Sequence, residues 1–395
     1  MMIQAVLSNP NHPEYGVATI PFPIPHDQYA HCMELLEALE IGDAVKTDCK
    51  VEKIDSFYTV LKRTEMLTVN VEELNYLAKR LDSFDIGEAA QFQAMAHKLE
   101  LFELKNLINL TFCCQQATVI TDFSDLAAVG RNHYMNLHGG SASVDELNAL
   151  DGEELAQRLI ENGGGTITPY GVVYDNGMKL EQIYDGWFFP CYYYEPNAIT
   201  VAVTSKAEPE DTEHITWLFL PMVQEEIDRT LLRGGITDPS EIRLSLEDSW
   251  LPHEVLDLLD MEHDDISELN ALVQALDEFP DMSIRKYAAA AVMARPHTTE
   301  QAKHLAENLD LFDFAPGAHT PQEYGKYMIQ QSGHFDYDEN LDAFYDYEKY
   351  GTERMNAEDG MFTDRGYIAY KGYYSMEKVM NGSQSSHMEM GGLSR

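Results

Sequence analysis

The chain has little positive charge. Its 395 residues include 27 Lys and Arg against 67 Asp and Glu, a formal net charge of −40 at pH 7. Such a balance repels nucleic acid and anionic membranes and favours basic partners, although a surface tuned for solubility or for high salt would show it too. Because 44% of the residues are hydrophobic and 10% aromatic, the chain is not a disordered acidic tail, and its length predicts two or more domains.

Disulfide and zinc frameworks are also missing. The number of cysteines is odd and none forms a C-x-x-C pair, which predicts a reducing, cytoplasmic setting; they are Cys32, Cys49, Cys113, Cys114 and Cys191. The first residues, MMIQAVLSNPNHPEYG, have neither a basic segment nor an apolar one, so no secretory signal peptide is predicted. No apolar run reaches the roughly 18 residues of a transmembrane helix.

Motifs that carry catalysis are sparse. His253 begins HEVLD rather than H-E-x-x-H, and NGGGTITP lacks the Lys and Ser or Thr of a P-loop. His133 and His138 lie in RNHYMNLHGGSAS without nucleophile-elbow spacing, and we expect them at the surface or capping a helix. No carboxylate is singled out as an acid or base. A carboxylate-based, metal-dependent enzyme is therefore a weak alternative, with no catalytic, cofactor or metal residue assigned.

The segment FDYDENLDAFYDYEKYG, residues 335–351, has an acidic spacing that suggests calcium. Asp336, Asp338 and Asn340 fit the first, third and fifth positions of an EF-hand loop. Leu341 stands at the sixth position, where Gly makes the turn, and Tyr347 at the twelfth, where Glu chelates. The segment is instead predicted to be a helix with an acidic outer face, anchored by its Tyr and Phe residues.

The sequence contains an internal repeat. ELNYLAKRLDSF at 73–84 and ELNALVQALDEF at 268–279 are identical at seven of twelve positions, at an offset of 195 residues. The same offset relates Asp151 to Asp346 and Gly171 to Gly366. We therefore predict a tandem duplication with a first unit at 1–190, an aromatic connector at 191–198, a second unit at 199–380 and a disordered tail at 381–395.

Each unit is predicted to be α+β, with a sheet plus a helix, then a helical bundle, then a helix plus a β-hairpin. Alternating residues in IQAVLS and VATIPFP predict strands, and leucines at helical spacing in 73–84 and 268–279 predict a buried helix face. Gly165, Gly171, Gly360 and Gly366 are expected at turns that need unusual backbone angles.

Acidic residues crowd the segment 253–281, which holds ten of them and no Lys or Arg. A helix made only for solubility usually mixes signs, because Glu and Lys four residues apart stabilise it. Asp257, Asp260, Asp264 and Glu268 recur at helical spacing, which would place successive carboxylates about 6 Å apart along a helix axis. That is near the spacing of phosphates on a nucleic-acid strand. The pattern suggests a mimic of DNA charge.

The motif YDYEKYG, followed by TERMNAEDGMFTDRGYIAY, resembles the C-terminal segment of the ArdA antirestriction proteins. The matching positions are Tyr345, Asp346, Tyr347, Glu348, Tyr350, Gly351, Phe362, Gly366 and Tyr367. The helix at 268–279 also looks like part of the middle domain of that family. The first unit has LNALDGEELAQ in place of the motif and keeps only Asp151 and Glu153 of it.

The resemblance implies an elongated, non-enzymatic DNA mimic of three small domains per unit, carried by plasmids and conjugative transposons. It would occupy the DNA-binding groove of type I restriction–modification enzymes without a cofactor, as a pseudo-dimer within one chain or as a homodimer. An acidic inhibitor or chaperone of another basic DNA-binding protein, a nuclease or a CRISPR effector, is the alternative. Tyr345, Tyr347, Tyr350 and Gly351 are expected to pack internally or at a subunit contact. The predicted target-binding carboxylates are Asp257, Asp260, Glu262, Asp264, Asp265, Glu268, Asp277, Glu278, Asp336, Asp338, Glu339, Asp342, Asp346 and Glu348.

Overall fold

A computed structural model of the protein describes residues 2–192, 197–207 and 214–382. Helices and small sheets alternate along these residues, which confirms the α+β prediction. The chain forms two compact units. Unit 1 comprises residues 1–196, 212–217 and 223–237, and unit 2 comprises residues 197–211, 218–222 and 238–395.

Unit 1 contains two sheets, in the strand orders β2-β1-β3-β4 and β5-β7-β6. Its strands are β1 Ile3–Ser8, β2 Val17–Phe22, β3 Cys49–Asp55, β4 Thr68–Val69, β5 Thr118–Ile120, β6 Thr166–Thr168 and β7 Gly171–Tyr174. Its helices are α1 Tyr29–Glu37, α2 Val71–Asp82, α3 Ile86–Lys98, α4 Leu104–Leu110, α5 Leu126–Leu137, α6 Val144–Ala149, α7 Gly152–Glu161 and α8 Gln224–Arg233.

The remaining elements form the sheets β10-β8-β9 and β11-β13-β12 and the helices around them. The strands are β8 Ile199–Ser205, β9 Thr216–Leu220, β10 Ile242–Ser249, β11 Phe312–Pro316, β12 Asp359–Thr363 and β13 Gly366–Tyr370. The helices are α9 His253–Leu256, α10 Ile266–Asp277, α11 Asp281–Ala294, α12 Thr299–Glu307, α13 Pro321–Gln330, α14 Tyr347–Ala357 and α15 Met376–Met380.

The leucine-rich middle helices are buried as their spacing predicts. Leucines on α2 and α10 lie in the interior; they are Leu74, Leu77 and Leu81 on α2 and Leu269, Leu272 and Leu276 on α10. Beside them, Asn75 Oδ1 accepts a hydrogen bond from the Ile24 amide at 2.8 Å, and Asn270 Oδ1 accepts one from the Met222 amide at 2.9 Å. A buried asparagine thus ties each helix to the loop after a strand.

The two hairpins have matching turns. Thr168 Oγ1 donates to the Gly171 carbonyl at 2.8 Å, and Thr363 Oγ1 donates to the Gly366 carbonyl at 2.8 Å. The two glycines have φ angles of 127° and 137°, so the prediction of unusual backbone angles is confirmed there.

The prediction is wrong at the other two hairpin glycines, which do not have positive φ angles. A Cβ atom on Gly165 would lie 2.8 Å from the Tyr174 ring, and one on Gly360 would overlap the Tyr367 hydroxyl. Glycine at these positions makes room for a tyrosine ring.

Two helix pairs approach backbone to backbone. A Cβ atom on Gly130 of α5 would overlap the Gly152 carbonyl at the start of α7. Likewise, a Cβ atom on Gly325 of α13 would overlap the Tyr347 carbonyl at the start of α14. These contacts, like the asparagines and hairpin turns, recur at the offset of 195 residues seen in the sequence. The duplication itself stays a prediction that these parallels support.

Several predictions fall at the edges of the described chain. Residues 193–196 of the connector and 383–395 of the tail lie outside the described residues. Within the described part of the connector, Tyr192 is packed, and its ring lies 6.5 Å from that of Tyr76. No helix in the described ranges combines the length and apolar character needed to cross a membrane.

Candidate target-binding surface

The carboxylates predicted from the sequence lie almost entirely at the surface of unit 2. Of the fourteen, thirteen are exposed and only Asp264 is half-buried. They occur in two segments, residues 257–278 and residues 336–348, which we call the first and second acidic segments. Among the described residues, no hydrogen bond joins one segment to the other, so each is considered by itself.

The first acidic segment is not one helix, and the predicted axial spacing of its carboxylates is wrong. Helix α9 ends at Leu256, and α10 begins only at Ile266. Asp257, Asp260 and Asp264 therefore lie in the turns between two helices, and Glu268 alone lies within one. Aspartates bind nearby backbone amides readily, which ends one helix and starts the next.

Hydrogen bonds fix the turn in place. The Asp260 amide donates to Asp264 Oδ2 at 2.8 Å, and His263 Nδ1 lies 2.8 Å from Asp260 Oδ2. Asp265 caps α10 by accepting from the Ser267 amide at 2.8 Å. The hydrogen bond from His263 lowers the pKa of Asp260 below its ordinary value. The turn therefore displays negative charge in a defined geometry.

A further exposed carboxylate, Glu300, lies next to this turn and was not predicted from the sequence. It lies in the first turn of α12, next to Thr299, whose Oγ1 donates to Asp264 Oδ1. Because that hydrogen bond brings the start of α12 to the turn, Glu300 extends the first acidic segment. The contact joins residues 35 positions apart, which spacing along the sequence does not reveal.

The C-terminus of helix α10 also consists of acidic residues. Asp277 is its last residue, Glu278 caps it, and its last turn holds no basic residue. Carboxylates at the C-terminus of a helix oppose the helix dipole, so this arrangement costs stability. Both side chains are exposed, which means that no internal contact explains their presence.

The second acidic segment is also broken, where a single helix was predicted. It consists of a 3₁₀ helix at Glu339–Phe344 and then α14, which begins at Tyr347. Asp338 caps the 3₁₀ helix by accepting from the Asn340 amide at 2.9 Å, and Asp346 caps α14 by accepting from the Lys349 amide at 3.0 Å. Acidic side chains thus define both breaks.

Asp342 is held by three side chains. Its Oδ1 accepts hydrogen bonds from the Tyr347 hydroxyl, from the Tyr337 hydroxyl at 2.7 Å and from Gln330 Nε2 at 2.9 Å. The hydrogen bonds from Tyr347 and Tyr337 lower the pKa of this exposed carboxyl. Side-chain packing therefore orients at least one charge of the second segment.

The motif tyrosines pack within unit 2. The Tyr345 ring lies between those of Tyr337 and Tyr347, at centroid distances of 6.0 and 5.8 Å. Tyr350 packs against the core cluster of β11, α13 and β13, and Gly351 meets the Pro321 carbonyl too closely for a side chain. Phe344, by contrast, is 83% exposed, so the expected anchoring is wrong for that residue.

The candidate carboxylates lack Lys and Arg partners in the part of unit 2 that the structure describes. Among the described residues, none of the fourteen forms an ion pair with Lys or Arg. Some basic side chains of unit 2 pair with other carboxylates, as Arg365 does with Glu254 at 2.7 Å and Arg354 with Glu358 at 2.5 Å. The surface negative charge is left available to an external partner.

The two histidines named in the sequence analysis, His133 and His138, lie in different surroundings. His138 is exposed at the C-terminus of α5, with Nδ1 2.7 Å from the Tyr134 carbonyl oxygen, as predicted. His133 is buried, and its Nδ1 lies 2.8 Å from Thr118 Oγ1, so the expectation of a surface position is wrong. Burial lowers the pKa of His133, which is consistent with a neutral packing residue.

Comparison with protein families identifies the part of the chain that carries both acidic segments. Residues 212–369 match the family described as antirestriction protein (ArdA). A comparison with curated proteins returns no match. The match begins well after the first unit of the predicted duplication and includes all fourteen candidate carboxylates.

Proposed function

We propose that this chain, whose residues 212–369 belong to the ArdA antirestriction family, inhibits type I restriction–modification enzymes as a DNA mimic. Its acidic side chains would occupy the Lys- and Arg-lined groove that otherwise holds the DNA phosphates. Inhibition then comes from binding alone, without a chemical step. Antirestriction follows from the family, and the mechanism and target are our proposal.

The observation that carries the proposal is the free, fixed charge of unit 2. Thirteen exposed carboxylates in the matched region pair with no Lys or Arg of the described chain, and hydrogen bonds within the turns hold several in place. Placing like charges together is unfavourable unless a cationic partner meets them. A groove built for DNA is such a partner, because DNA presents one negative charge per roughly 1.7 Å of helix axis.

The fold of unit 1 supports a duplicated architecture, and we propose that unit 1 arose as a copy of the same domain set. It matches unit 2 in sheet order, hairpin turns and close helix contacts. It lacks the acidic motif at 346–351, where the corresponding positions read DGEELA. We therefore assign target binding to unit 2 and propose that the pair acts as a pseudo-dimer in the cytoplasm.

The proposal is tested by competition between this protein and DNA. A purified type I restriction enzyme is saturated with a labelled duplex that carries its site, and the full chain is titrated in at low and at moderate salt. We expect the duplex to be released near one equivalent of inhibitor, less readily as salt rises, because the contacts are ionic. The same titration against an unrelated basic nuclease serves as the control.

Retention of the duplex at a large excess of the protein would contradict the proposal. Release from the nuclease alone would move the target to another basic DNA-binding protein and leave the mimicry intact. Release that does not change with salt would contradict the ionic mechanism. These three outcomes separate the target from the mechanism.

A further inference from the structure

Unit 2 contains a cavity of about 520 Å³, and no residue of the two acidic segments lines it. It lies between α11, β11 and α13, and its wall combines Phe and Tyr rings with polar side chains, among them Asp313, Gln331 and His334. Small-molecule sites typically have volumes of roughly 300–1,000 Å³. The volume of this cavity falls within that range.

The wall includes an ammonium group that forms no direct ion pair in the described chain. Lys286 on α11 lines the cavity, is half-buried, and forms no hydrogen bond or ion pair with the described residues. The neighbouring Asp313, which also lines the cavity, is already paired with Lys371. Burial lowers the pKa of Lys286, and the negative charge of Asp310 acts in the opposite direction. A partly buried ammonium that forms no ion pair is unfavourable.

The corresponding place in unit 1 is built differently. At the offset of 195 residues, Gln91 stands where unit 2 has Lys286, and its Nε2 donates to the Ala117 carbonyl at 2.6 Å. His133 and Asn136 stand where unit 2 has Met328 and Gln331. Asn136 Nδ2 donates to the same Ala117 carbonyl at 3.1 Å, and His133 bonds to Thr118. Unit 1 therefore satisfies these polar side chains internally, whereas unit 2 leaves its lysine unpaired at an open cavity.

We propose that the cavity of unit 2 binds a small aromatic carboxylate. The carboxylate pairs with the Lys286 ammonium, and the aromatic body contacts the tyrosine and phenylalanine side chains of the wall. A carboxylate fits because it would form the direct ion pair that Lys286 lacks among the described residues, and a flat apolar body fits because Phe and Tyr rings form part of the wall. This site is separate from the acidic surface, and it does not depend on the proposed inhibition of restriction enzymes.

Three probes of nearly equal shape test the charge requirement. They are 1-naphthoate, 1-naphthalenemethanol and 1-naphthylmethylammonium, which are anionic, neutral and cationic. Binding to the full chain is measured by calorimetry or by saturation-transfer NMR. We expect the anion to bind at least about tenfold more tightly than the neutral alcohol, and the cation to bind most weakly.

The variant Lys286→Gln introduces the residue that unit 1 has at this place, and Lys303→Gln on α12 is its matched control. We expect the first to abolish the preference for the anion, with a roughly tenfold loss in naphthoate affinity, and the second to leave it unchanged. Equal binding of the three probes, no binding of any, or full naphthoate affinity in Lys286→Gln would overturn the proposal.

A measurement on the unmodified protein covers the case in which Lys286→Gln fails to fold. Reductive methylation of the lysines is followed by peptide mass spectrometry with and without 1-naphthoate. We expect naphthoate to slow the methylation of Lys286 several-fold and to leave Lys303 unaffected. Equal methylation of Lys286 in both samples, at a naphthoate concentration where binding is measured, would place the ligand elsewhere.

Discussion

Helices α2 and α10 have similar buried faces but differ in whether their charged side chains form ion pairs. Both have twelve residues and bury the same leucine face. On α2, the Glu72 carboxylate accepts from Arg229 Nε at 2.7 Å, and Lys79 Nζ donates to Glu226 Oε1 at 3.2 Å. On α10, Glu268 is exposed and pairs with no described Lys or Arg. Unit 1 uses charge to hold α8 in place, and unit 2 presents it to solvent.

Arg233 of α8 is the centre of the internal arrangement in unit 1. It is buried, donates to the Ala44 carbonyl and to Asn70 Oδ1 at 3.0 Å each, and also donates to the Tyr184 hydroxyl. Its guanidinium lies 4.4 Å from the centroid of the Phe189 ring. Helix α8 lies within the matched range 212–369 but folds with unit 1, so the boundary of the family match differs from the boundary between the units.

The largest expected effect comes from removing this arginine. Arg233→Met leaves carbonyl and amide oxygens without a donor in the interior of unit 1, and we expect a loss of about 3–5 kcal/mol in the free energy of unfolding. Arg365→Met in unit 2 is the matched change, since Arg365 is 30% exposed and pairs with Glu254. We expect it to cost about 1–2 kcal/mol. Urea unfolding measures both, and equal losses would contradict the contrast between the units.

Charge reversal tests which unit carries the target surface. Asp257, Glu262, Glu268 and Glu278, all changed to Lys, should raise the concentration that inhibits the restriction enzyme by on the order of 100-fold, because attraction becomes repulsion. The control reverses the same number of exposed carboxylates in unit 1, namely Glu34, Glu37, Asp145 and Glu153. We expect the control to change inhibition by less than about threefold. A larger effect from the control would assign the surface to unit 1.

The end of α10 offers a test in which stability and binding move in opposite directions. Asp277→Lys with Glu278→Lys removes two charges that oppose the helix dipole, so we expect a gain of about 0.3–1 kcal/mol per residue in unfolding free energy. We also expect inhibition to weaken by roughly tenfold. Glu161→Lys, at the end of α7, should stabilise similarly without affecting inhibition. Undiminished inhibition by the α10 variant would exclude this helix end from the interface.

The smallest expected effect is on the pH dependence of stability. One carboxylate in each unit contributes to it, and the two contributions have opposite signs. Burial raises the pKa of Glu73 in unit 1, so its contribution to stability is present at low pH and is lost as pH rises above about 4.5. The hydrogen bond from Arg365 lowers the pKa of Glu254 in unit 2, so its contribution is present above about 4.5 and is lost as pH falls.

Glutamine at each position should remove the corresponding slope. The urea concentration at the unfolding midpoint is measured from pH 3 to 7. In Glu254→Gln it should fall less steeply on acidification than in the unmodified protein. In Glu73→Gln it should fall less steeply as the pH rises above 4.5. Glu300→Gln, an exposed site, is the control. If Glu73 and Glu254 changed the slope of stability against pH in the same direction, the proposed contrast between the two carboxylates would be wrong.

The sequence was sufficient for the parts of the fold that depend on local periodicity. Leucine spacing located α2 and α10, and alternation located β1 and β2. It failed at the turn 257–265, because carboxylates three and four residues apart look helical while Asp260 and Asp265 in fact bind backbone amides. The Asp-x-x-Glu pattern at 265–268 was the available signal for a helix start.

Long-range partners account for most of the remaining errors. His133 was expected at the surface because its partner, Thr118, lies on a strand that the histidine's own neighbours do not indicate. Glu300 was missed because Thr299 meets Asp264 only in three dimensions. Likewise, nothing near Lys286 in the sequence shows that its ammonium forms no ion pair with the described residues. Composition reveals how much charge there is, but only packing decides which charges are paired.

The most direct test of the central claim is a hydrogen-exchange footprint of the full chain bound to a type I restriction enzyme. We expect slowed amide exchange in residues 257–278 and 336–348, with little change over the first unit at 1–190, and loss of the footprint when excess DNA is added. Protection confined to the first unit, or a footprint that persists while DNA is bound, would contradict the assignment of the mimic surface to unit 2.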